Sequence, residues 1–199
     1  MALKTKIKVG NITNLSDARY CAGMGVDMLG FKINETEATG ISTVRFKEIA
    51  NWVSGPEFVL ELSEFPGNRS EVDGIGFIEL PASRINELIG KGFEGRVIIT
   101  IDSKDWPAYK KDLLVHKNAI TFLLITNTSG IAPKNIKAWV QELAIDFAVL
   151  LGGDVRVDEL GEYLTWPITG IALNGSEETS PGIKDYDHLS SILEKLEVD

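Results

Sequence analysis

The stretch from Lys6 to Phe31 constrains the fold more than any other part of the sequence. An apolar strand with Ile7 and Val9 leads into a polar turn, a helix follows over residues 15–24, and a second strand begins at Asp27. Two strands joined by a helix of this length run parallel, and the connection between them is right-handed. The chain therefore contains a βαβ unit, and repeats of such a unit can close a parallel sheet into a barrel.

The same alternation of strand and helix continues along the rest of the chain. Further strands are predicted over residues 58–62, 76–80, 96–101, 119–125, 146–151 and 168–173. Helices are predicted over residues 43–53, 81–89, 106–115, 133–143 and 186–196, with a short one between residues 64 and 72. The later strands are apolar at odd and at even positions, which is typical of strands buried between a packed interior and an outer layer of helices.

Eight strands that alternate with about eight helices predict an α/β fold, a single-domain (β/α)8 TIM barrel over residues 1–199. The length of 199 residues is near the lower limit for such a barrel. An open doubly wound sheet is the alternative, but that fold usually has a glycine-rich turn after its first strand. Residues 10–13, with the sequence GNIT, do not supply such a turn.

Charge and cysteine content restrict the partners of the protein and its location. The formal net charge of -9 disfavours nucleic acid and anionic membranes, which bind clustered Lys and Arg. A single phosphate group is not excluded, because backbone N–H groups can hold it. The sequence has one cysteine, no apolar core of a secretory signal and no apolar run long enough to cross a membrane. We therefore expect a cytoplasmic protein, a monomer or a homodimer, without an intrachain disulfide.

The residues that most often bind metals are few and scattered. His116 and His188 have no second ligand at a suitable spacing, so we predict no metal site. Cys21 lies within the first predicted helix, where a small thiol usually fills the core. No cofactor is predicted either.

The loops after the seventh and eighth strands are the candidates for binding a phosphate group, because (β/α)8 barrels often hold phosphate there. Gly152 and Gly153 follow strand seven, and Asn174, Gly175 and Ser176 follow strand eight. Glycine lets the backbone approach a phosphate closely, and the start of a following helix adds a favourable dipole. The alternative is that these glycines only make tight turns. We predict that a phosphorylated small molecule contacts at least one of the two loops.

Segments at both ends of the chain carry motifs of one enzyme family. They are residues 8–13 (KVGNIT), 15–18 (LSDA), 25–31 (GVDMLGF), 152–153 (GG) and 181–185 (PGIKD). In this order they resemble the motifs of phosphoribosylanthranilate isomerases. The resemblance implies a TIM barrel and an Amadori rearrangement of a phosphorylated ribosylamine, a step of tryptophan biosynthesis.

The two catalytic positions that the resemblance implies hold residues unable to transfer a proton. The family has a Cys base at the end of strand one and an Asp acid at the end of strand six, and this chain has Gly10 and Ile125 there. The reaction needs a base for a carbon-bound proton and an acid for the ring oxygen, and losing either costs on the order of 10² to 10⁴ in rate. The standard isomerase activity is therefore not expected.

Three other side chains are candidate substitutes. Lys8 shares its strand parity with Gly10, Asp102 ends strand five and Glu79 ends strand four. For the two carboxylates the alternative role is a solvated loop residue or a helix cap. We favour a divergent member of the family that binds a phosphorylated sugar-type metabolite as a pseudoenzyme. The alternatives are an active phosphoribosylanthranilate or phosphosugar isomerase that uses substitute groups, and a non-catalytic protein-interaction module.

Overall fold

Strands and helices alternate along the chain. The computed structural model describes residues 2–33, 40–65, 75–175, 178–180, 183–184 and 187–198. The strands are β1 (Lys6–Gly10), β2 (Met28–Ile33), β3 (Gly40–Ile41), β4 (Glu57–Glu61), β5 (Phe77–Pro81), β6 (Val97–Ile101), β7 (Phe122–Ile125), β8 (Val149–Leu151), β9 (Gly170–Asn174), β10 (Glu178–Ser180) and β11 (Ile183–Lys184). The α-helices of these residues are α1 (Leu15–Gly23), α2 (Thr43–Trp52), α3 (Ile85–Gly90), α4 (Trp106–Val115), α5 (Pro133–Leu143), α6 (Leu160–Tyr163) and α7 (Asp187–Leu196).

Eight parallel strands close into a barrel. Their order is β1, β2, β4, β5, β6, β7, β8 and β9, and β9 pairs with β1 again. Lys8 of β1 stands opposite Met28 of β2 on one side and Ala172 of β9 on the other. The short β3 pairs with the last two residues of β2, and β10 and β11 form a separate antiparallel hairpin. The closed barrel confirms the predicted (β/α)8 fold and excludes the open sheet.

Local sequence sets the starts of several helices. The Asn14 side chain accepts a hydrogen bond of 2.9 Å from the N–H of Asp17 at the start of α1, and Ser42 caps α2 in the same way. Pro107 and Pro133 stand in the first turns of α4 and α5. The N–H that proline lacks has no partner in a first turn in any case, so these prolines cost the helices little.

The barrel strands separate two apolar layers. The side chains that fill the barrel interior are Met28, Val59, Phe77, Ile98, Leu124, Leu150 and Ala172. Their neighbours along the same strands belong to the layer between the sheet and the helices, among them Ile7, Leu29, Leu60, Ile78, Ile99, Leu123 and Ile125. Because the apolar interior is packed, a ligand site in this barrel has to lie at one of its ends.

Some element boundaries differ from the sequence-based predictions. β8 begins at Val149, because the N–H groups of Asp146 and Phe147 donate to the carbonyl of Leu143 and prolong the end of α5 as a turn. β7 likewise begins later than predicted, at Phe122, because a 3₁₀ turn occupies Lys117–Ala119. The helix predicted between residues 64 and 72 lies mostly outside the described residues. None of the helices in the described ranges is long and apolar enough to span a membrane.

Candidate functional site

Three charged side chains meet inside the barrel near the carboxyl ends of its strands. The Lys8 ammonium of β1 lies 2.5 Å from Oε1 of Glu61 on β4 and 2.9 Å from Oε2 of Glu79 on β5. The side chains are only 3%, 9% and 12% exposed, respectively. We call these residues the charged triad. Three buried charged side chains that contact one another at a barrel end mark this end as the candidate site.

The positive charge of Lys8 is locked in place by its two partners. Burial by itself lowers the pKa of a lysine, but the carboxylates of Glu79 and Glu61 outweigh burial and raise the pKa of Lys8 well above its ordinary value. Lys8 therefore stays protonated at neutral pH. A protonated lysine is not a general base, so Lys8 stabilises negative charge and orients the carboxylates.

Glu61 occupies the space above two glycines. A Cβ atom on Gly10 or on Gly30 would run into the Glu61 carboxylate, and a Cβ on Gly10 would also lie 3.1 Å from Nζ of Lys8. The second carboxylate oxygen, Oε2, accepts a hydrogen bond of 3.2 Å from the N–H of Asn11, whose φ of 55° lies in the left-handed region. The carboxylate of Glu61 thus stands where the resemblance places the side chain of the catalytic Cys.

Steric contact between Gly30 and Glu61 predicts a specific cost for a small substitution. The added Cβ of Gly30→Ala would lie 2.7 Å from Cδ of Glu61 and 3.0 Å from Cα of Gly10. We expect this variant to lose about 1–3 kcal/mol in free energy of unfolding, the usual cost of overpacking a core. Urea denaturation measures the loss. Gly161→Ala, whose Cβ would meet nothing within 4 Å, is the matched control.

A second substitution shows whether the cost of Gly30→Ala comes from the contact with Glu61 or from a general intolerance of β2 to a larger side chain. In a Glu61→Ala background, most of the cost of Gly30→Ala should vanish, because the carboxylate is gone. An equal cost in both backgrounds would contradict the contact.

Glu79 is a carboxyl group whose surroundings favour its protonated form. Burial raises its pKa most, the Lys8 charge opposes this and the Glu61 charge adds to it, and the pKa of Glu79 ends above its ordinary value of 4.5. Its buried Oε2 lies 2.9 Å from the Lys8 ammonium, and this ion pair holds the oxygen in place. A carboxyl group of this kind can donate a proton nearer to neutral pH than an exposed one.

The raised pKa of Glu79 predicts how stability depends on pH. The folded state binds this proton more tightly than the unfolded state, so the group's contribution to stability is complete below the unfolded pKa of 4.5 and is lost as the pH rises through the folded pKa. The stability of wild type relative to Glu79→Gln should therefore fall as the pH rises above about 4.5. Urea denaturation at several pH values measures this difference. Glu48→Gln, at an exposed position, should show no comparable trend, and a flat difference for Glu79→Gln would contradict the assignment.

A cavity of about 620 Å³ lies directly over the charged triad. Its lining comes from the carboxyl ends of the strands and the loops after them, and it includes Lys8, Glu61 and Glu79 together with Gly152, Gly153 and Asn174. We call it the mouth cavity. Two parts of the chain that sequence analysis treated separately, the candidate substitute Lys8 and the predicted phosphate loops, thus face one space.

The predicted phosphate loops have few free backbone donors. The N–H of Gly152 donates to the carbonyl of Ile125 at 2.9 Å, and the N–H of Gly175 donates to the carbonyl of Gly10 at 2.7 Å. Gly153 has a φ of 86°, and its N–H has no acceptor among the described residues. The Asn174 side chain accepts a hydrogen bond of 3.1 Å from the Asn11 amide. Ser176 lies outside the described residues.

Asp102, the other carboxylate that the sequence suggested, does not line the mouth cavity. It accepts hydrogen bonds from the N–H of Lys104 at 2.9 Å and from the Asn127 amide at 3.1 Å. The hydrogen bond from the N–H of Lys104 holds the pKa of Asp102 below its ordinary range. Desolvation opposes this shift, and the hydrogen bond from Asn127 adds to it. Asp102 therefore has the geometry of a loop-capping residue.

Ile125 contributes its backbone to the mouth cavity, but its side chain is buried in the layer between the sheet and the helices. The neighbouring interior positions of this strand are Leu124 and Thr126, which also line the cavity. Neither has an ionisable side chain. The end of β7 thus offers no acid at any of these three positions.

Sequence analysis missed Glu61, although a signal for it was present. Glu61 interrupts an otherwise apolar strand, Phe58-Val59-Leu60-Glu61-Leu62, and it shares its parity with Val59, which faces the interior. A charged residue on the interior face of a buried strand requires a partner of opposite charge. Lys8 on β1 was the available partner.

The fold and the site together define a class, the (β/α)8 barrels whose polar groups gather at the carboxyl ends of the strands. The sequence matches no protein-family model and no curated protein. Among solved structures, the fold is similar to phosphoribosyl anthranilate isomerase from Thermotoga maritima (TM-score 0.75, 17% identity, 96% of this chain and 98% of that chain). The enzyme from Thermus thermophilus is similar to the same degree (TM-score 0.72, 19% identity, 96% and 98%).

A third similar structure carries a ligand. It is phosphoribosyl anthranilate isomerase in complex with reduced 1-(o-carboxyphenylamino)-1-deoxyribulose 5-phosphate (TM-score 0.72, 14% identity, 96% and 98%). At these identities the likeness shows a shared fold. Within the described residues, no cluster of three or more His, Cys, Asp or Glu side chains is placed to hold a metal ion.

Proposed function

We propose that this protein is an acid–base enzyme that moves a proton on a phosphorylated sugar-type metabolite in the mouth cavity. The observation that carries the proposal is the charged triad, which presents two carboxylates of different surroundings to one cavity. The sequence alone favoured a pseudoenzyme, because Gly10 and Ile125 cannot ionise. The two carboxylates favour the alternative, in which substitute groups move the proton.

The surroundings of the carboxylates assign their roles. Glu61, which pairs with Lys8 and accepts a hydrogen bond from the N–H of Asn11, is the general base. Glu79, whose pKa is raised by burial, is the general acid. Lys8 touches both carboxylates and is their positioning residue, and its charge stabilises negative charge that develops on a substrate oxygen.

The reaction that suits such a pair is an aldose–ketose isomerisation, which needs no co-reactant. Glu61 removes a proton from the carbon next to a carbonyl group, and Glu79 gives its proton to the carbonyl oxygen, which yields an enediol. Glu61 then returns the proton to the former carbonyl carbon, while Glu79 takes back a proton from the neighbouring hydroxyl. Each proton removed is returned, so both carboxyl groups end in their starting states.

Phosphate binding by the same cavity is supported by Gly153 and Asn174. Gly153 follows β8 and Asn174 ends β9, and the N–H of Gly153, which has no acceptor among the described residues, is a donor that an anion can accept from. The similar isomerase structure described above holds a ligand with a 5-phosphate group. A pentose phosphate with its phosphate at these loops is the simplest probe of the proposal.

Exchange of carbon-bound hydrogen for solvent deuterium tests the proposal without requiring the physiological substrate. Ribose 5-phosphate, ribulose 5-phosphate and phosphoribosylanthranilate are incubated with the protein in deuterated buffer and followed by NMR. We expect exchange at the carbon next to the carbonyl with at least one pentose phosphate, and its loss in Glu61→Gln. Thermal stabilisation by these compounds without exchange would overturn catalysis and support a binding protein. Neither stabilisation nor exchange would overturn both and favour the interaction module.

A further inference from the structure

We infer that Lys32 is a further catalytic residue of the mouth cavity, the cation that contacts the substrate oxygen on which negative charge develops when Glu61 removes the carbon-bound proton. The inference rests on the proposed function of the same site and assigns a role to a residue outside the charged triad. Three observations carry it: the position of Lys32 on its strand, the ion pairs of its neighbours and the charge of the site in its reactive state.

Lys32 stands on the interior face of β2, near the carboxyl end of the strand. It shares strand parity with Met28, whose side chain fills the barrel interior, and it lines the mouth cavity. Strand register places Lys32 directly beside Glu61 of β4, and Glu61 in turn stands beside Glu79 of β5. Neighbouring strands are about 4.8 Å apart. A lysine and two carboxylates therefore follow one another on three adjacent strands.

The ion pairs of the triad leave Lys32 uncommitted. One carboxylate oxygen of Glu61 binds the Lys8 ammonium at 2.5 Å, and the other accepts a hydrogen bond of 3.2 Å from the N–H of Asn11. Glu79 also pairs with Lys8, at 2.9 Å. Among the described residues Lys32 has no ion-pair partner, and it is only partly buried, whereas the Lys8 side chain is 3% exposed. A ligand in the cavity can thus reach Lys32 without displacing a carboxylate.

In the reactive state the site has one positive charge in excess. With Glu79 protonated as the general acid, the charges of Lys8 and Glu61 cancel. Lys32 then adds a positive charge to the same cavity. Glu64, the remaining acid of the described lining, is 74% exposed, and solvent screens its charge. An oxyanion that forms over the triad is therefore attracted to Lys32.

The proposed step produces such an oxyanion. As Glu61 takes the proton, the electron pair of the C–H bond forms the C=C bond of an enediolate, and the π electrons of the carbonyl group move onto its oxygen. Lys32 stabilises this charge until the proton of Glu79 moves to the oxygen. A cation already in place at such an oxygen stabilises the transition state without reorganisation of solvent.

An alternative role for Lys32 is to act only through Glu79. Burial raises the pKa of Glu79 most, the charges of Lys8 and Lys32 oppose this shift, and the charge of Glu61 adds to it. Removing Lys32 would raise the pKa of Glu79 further under either role, so a pH–rate profile alone does not separate the two. The affinity for a ligand that carries the developing charge separates them.

A matched pair of unreactive ligands tests the inference. 4-Phosphoerythronohydroxamate has the chain length of a pentose 5-phosphate, and its reacting end ionises to the planar, negatively charged shape of the enediolate. The N-methylamide of 4-phosphoerythronate has a methyl group in place of the N-hydroxyl group and does not ionise. Dissociation constants are measured by calorimetry at one ionic strength, because salt screens the effect. We expect wild type to bind the hydroxamate more tightly than the amide.

Variants of Lys32 locate the source of this preference. In Lys32→Met the ratio of the two affinities should fall by a factor on the order of ten or more, as the loss of one partly desolvated charge pair predicts. Lys32→Gln should give the same fall and replaces Lys32→Met if that variant does not fold. Lys32→Arg keeps the charge and should keep most of the ratio. Lys6→Met, at an exposed position at the start of β1, is the matched control and should leave the ratio unchanged.

Deuterium exchange gives a second readout. Lys32→Met should lower kcat by a factor on the order of 10² to 10³, the usual cost of removing one oxyanion-stabilising group. An unchanged ratio of affinities in Lys32→Met would overturn the inference even if the pH–rate profile shifts, because Lys32 would then act through Glu79. Binding of neither ligand to wild type would overturn it as well.

The outcome is separable from the fate of the proposed function. A preference for the hydroxamate that depends on Lys32, without exchange on any pentose phosphate, would retain the cation site at Lys32 and overturn the proposed function. Exchange at the wild-type rate in Lys32→Met would retain the proposed function and overturn the inference.

Discussion

Lys8→Met is expected to lower the free energy of unfolding by about 3–5 kcal/mol, the cost of leaving buried charge without its partner. The Lys8 side chain is 3% exposed and touches Glu61 and Glu79 at once. Methionine fills a similar volume, so the loss comes from charge and not from a cavity. Urea denaturation at neutral pH measures it.

The pH dependence of this variant separates charge from packing. Without Lys8, no cation of the triad opposes the burial and the Glu61 charge that raise the pKa of Glu79. The penalty is then largest at neutral pH and decreases as the pH falls and Glu79 binds a proton. Adding Glu61→Gln and Glu79→Gln to Lys8→Met should recover much of the stability at neutral pH. A loss below about 1 kcal/mol, within the range of a surface ion pair, would contradict the buried triad.

Glu61→Gln is expected to lower the rate of deuterium exchange by a factor on the order of 10² to 10⁴, the usual effect of removing a general base. The variant keeps the shape of the side chain and leaves Glu79 as a partner 2.9 Å from Lys8. Its stability should therefore stay near that of wild type. Exchange kinetics at saturating substrate and urea denaturation together measure the two effects.

The dependence on substrate concentration shows whether Glu61 acts in the chemical step. Removing a base that acts only in the transition state lowers kcat and leaves KM nearly unchanged. Glu64→Gln is the control, because Glu64 lines the same cavity but is largely exposed. Exchange in Glu61→Gln at a wild-type rate would remove Glu61 from the mechanism and leave Glu79 or another group as the base.

The fold could be predicted from the sequence because its signal is repeated along the whole chain. Each apolar strand and each helix is one instance of the same alternation, so an error of a few residues, as at Val149, does not change the topology. The predicted helix starts at residues 15 and 43 agree with the structure, where the side chains of Asn14 and Ser42 each accept a hydrogen bond from an N–H three residues later. These interactions are local in sequence.

The candidate site could be predicted only in part because its contacts are distant in sequence. Strand parity placed Lys8 on the same side as Gly10, and the structure places Lys8 in the lining of the mouth cavity. The contact of Lys8 with Glu61 joins residues 53 positions apart, and strand register, which the sequence does not display, decides it. Asp102 shows the opposite case, since a carboxylate at a strand end is bound by its own loop and not by the cavity.

The contact between Glu61 and the glycines below it also limits how one kind of active site can evolve into the other. A Cβ on Gly10 runs into the Glu61 carboxylate, so a cysteine at this position of β1 would push the carboxylate away from Lys8 and from the N–H of Asn11. A mutational path from the proposed glutamate base to a cysteine base is therefore easier when residue 61 is shortened first. The intermediate on that path, without Glu61 and still with Gly10, lacks both bases.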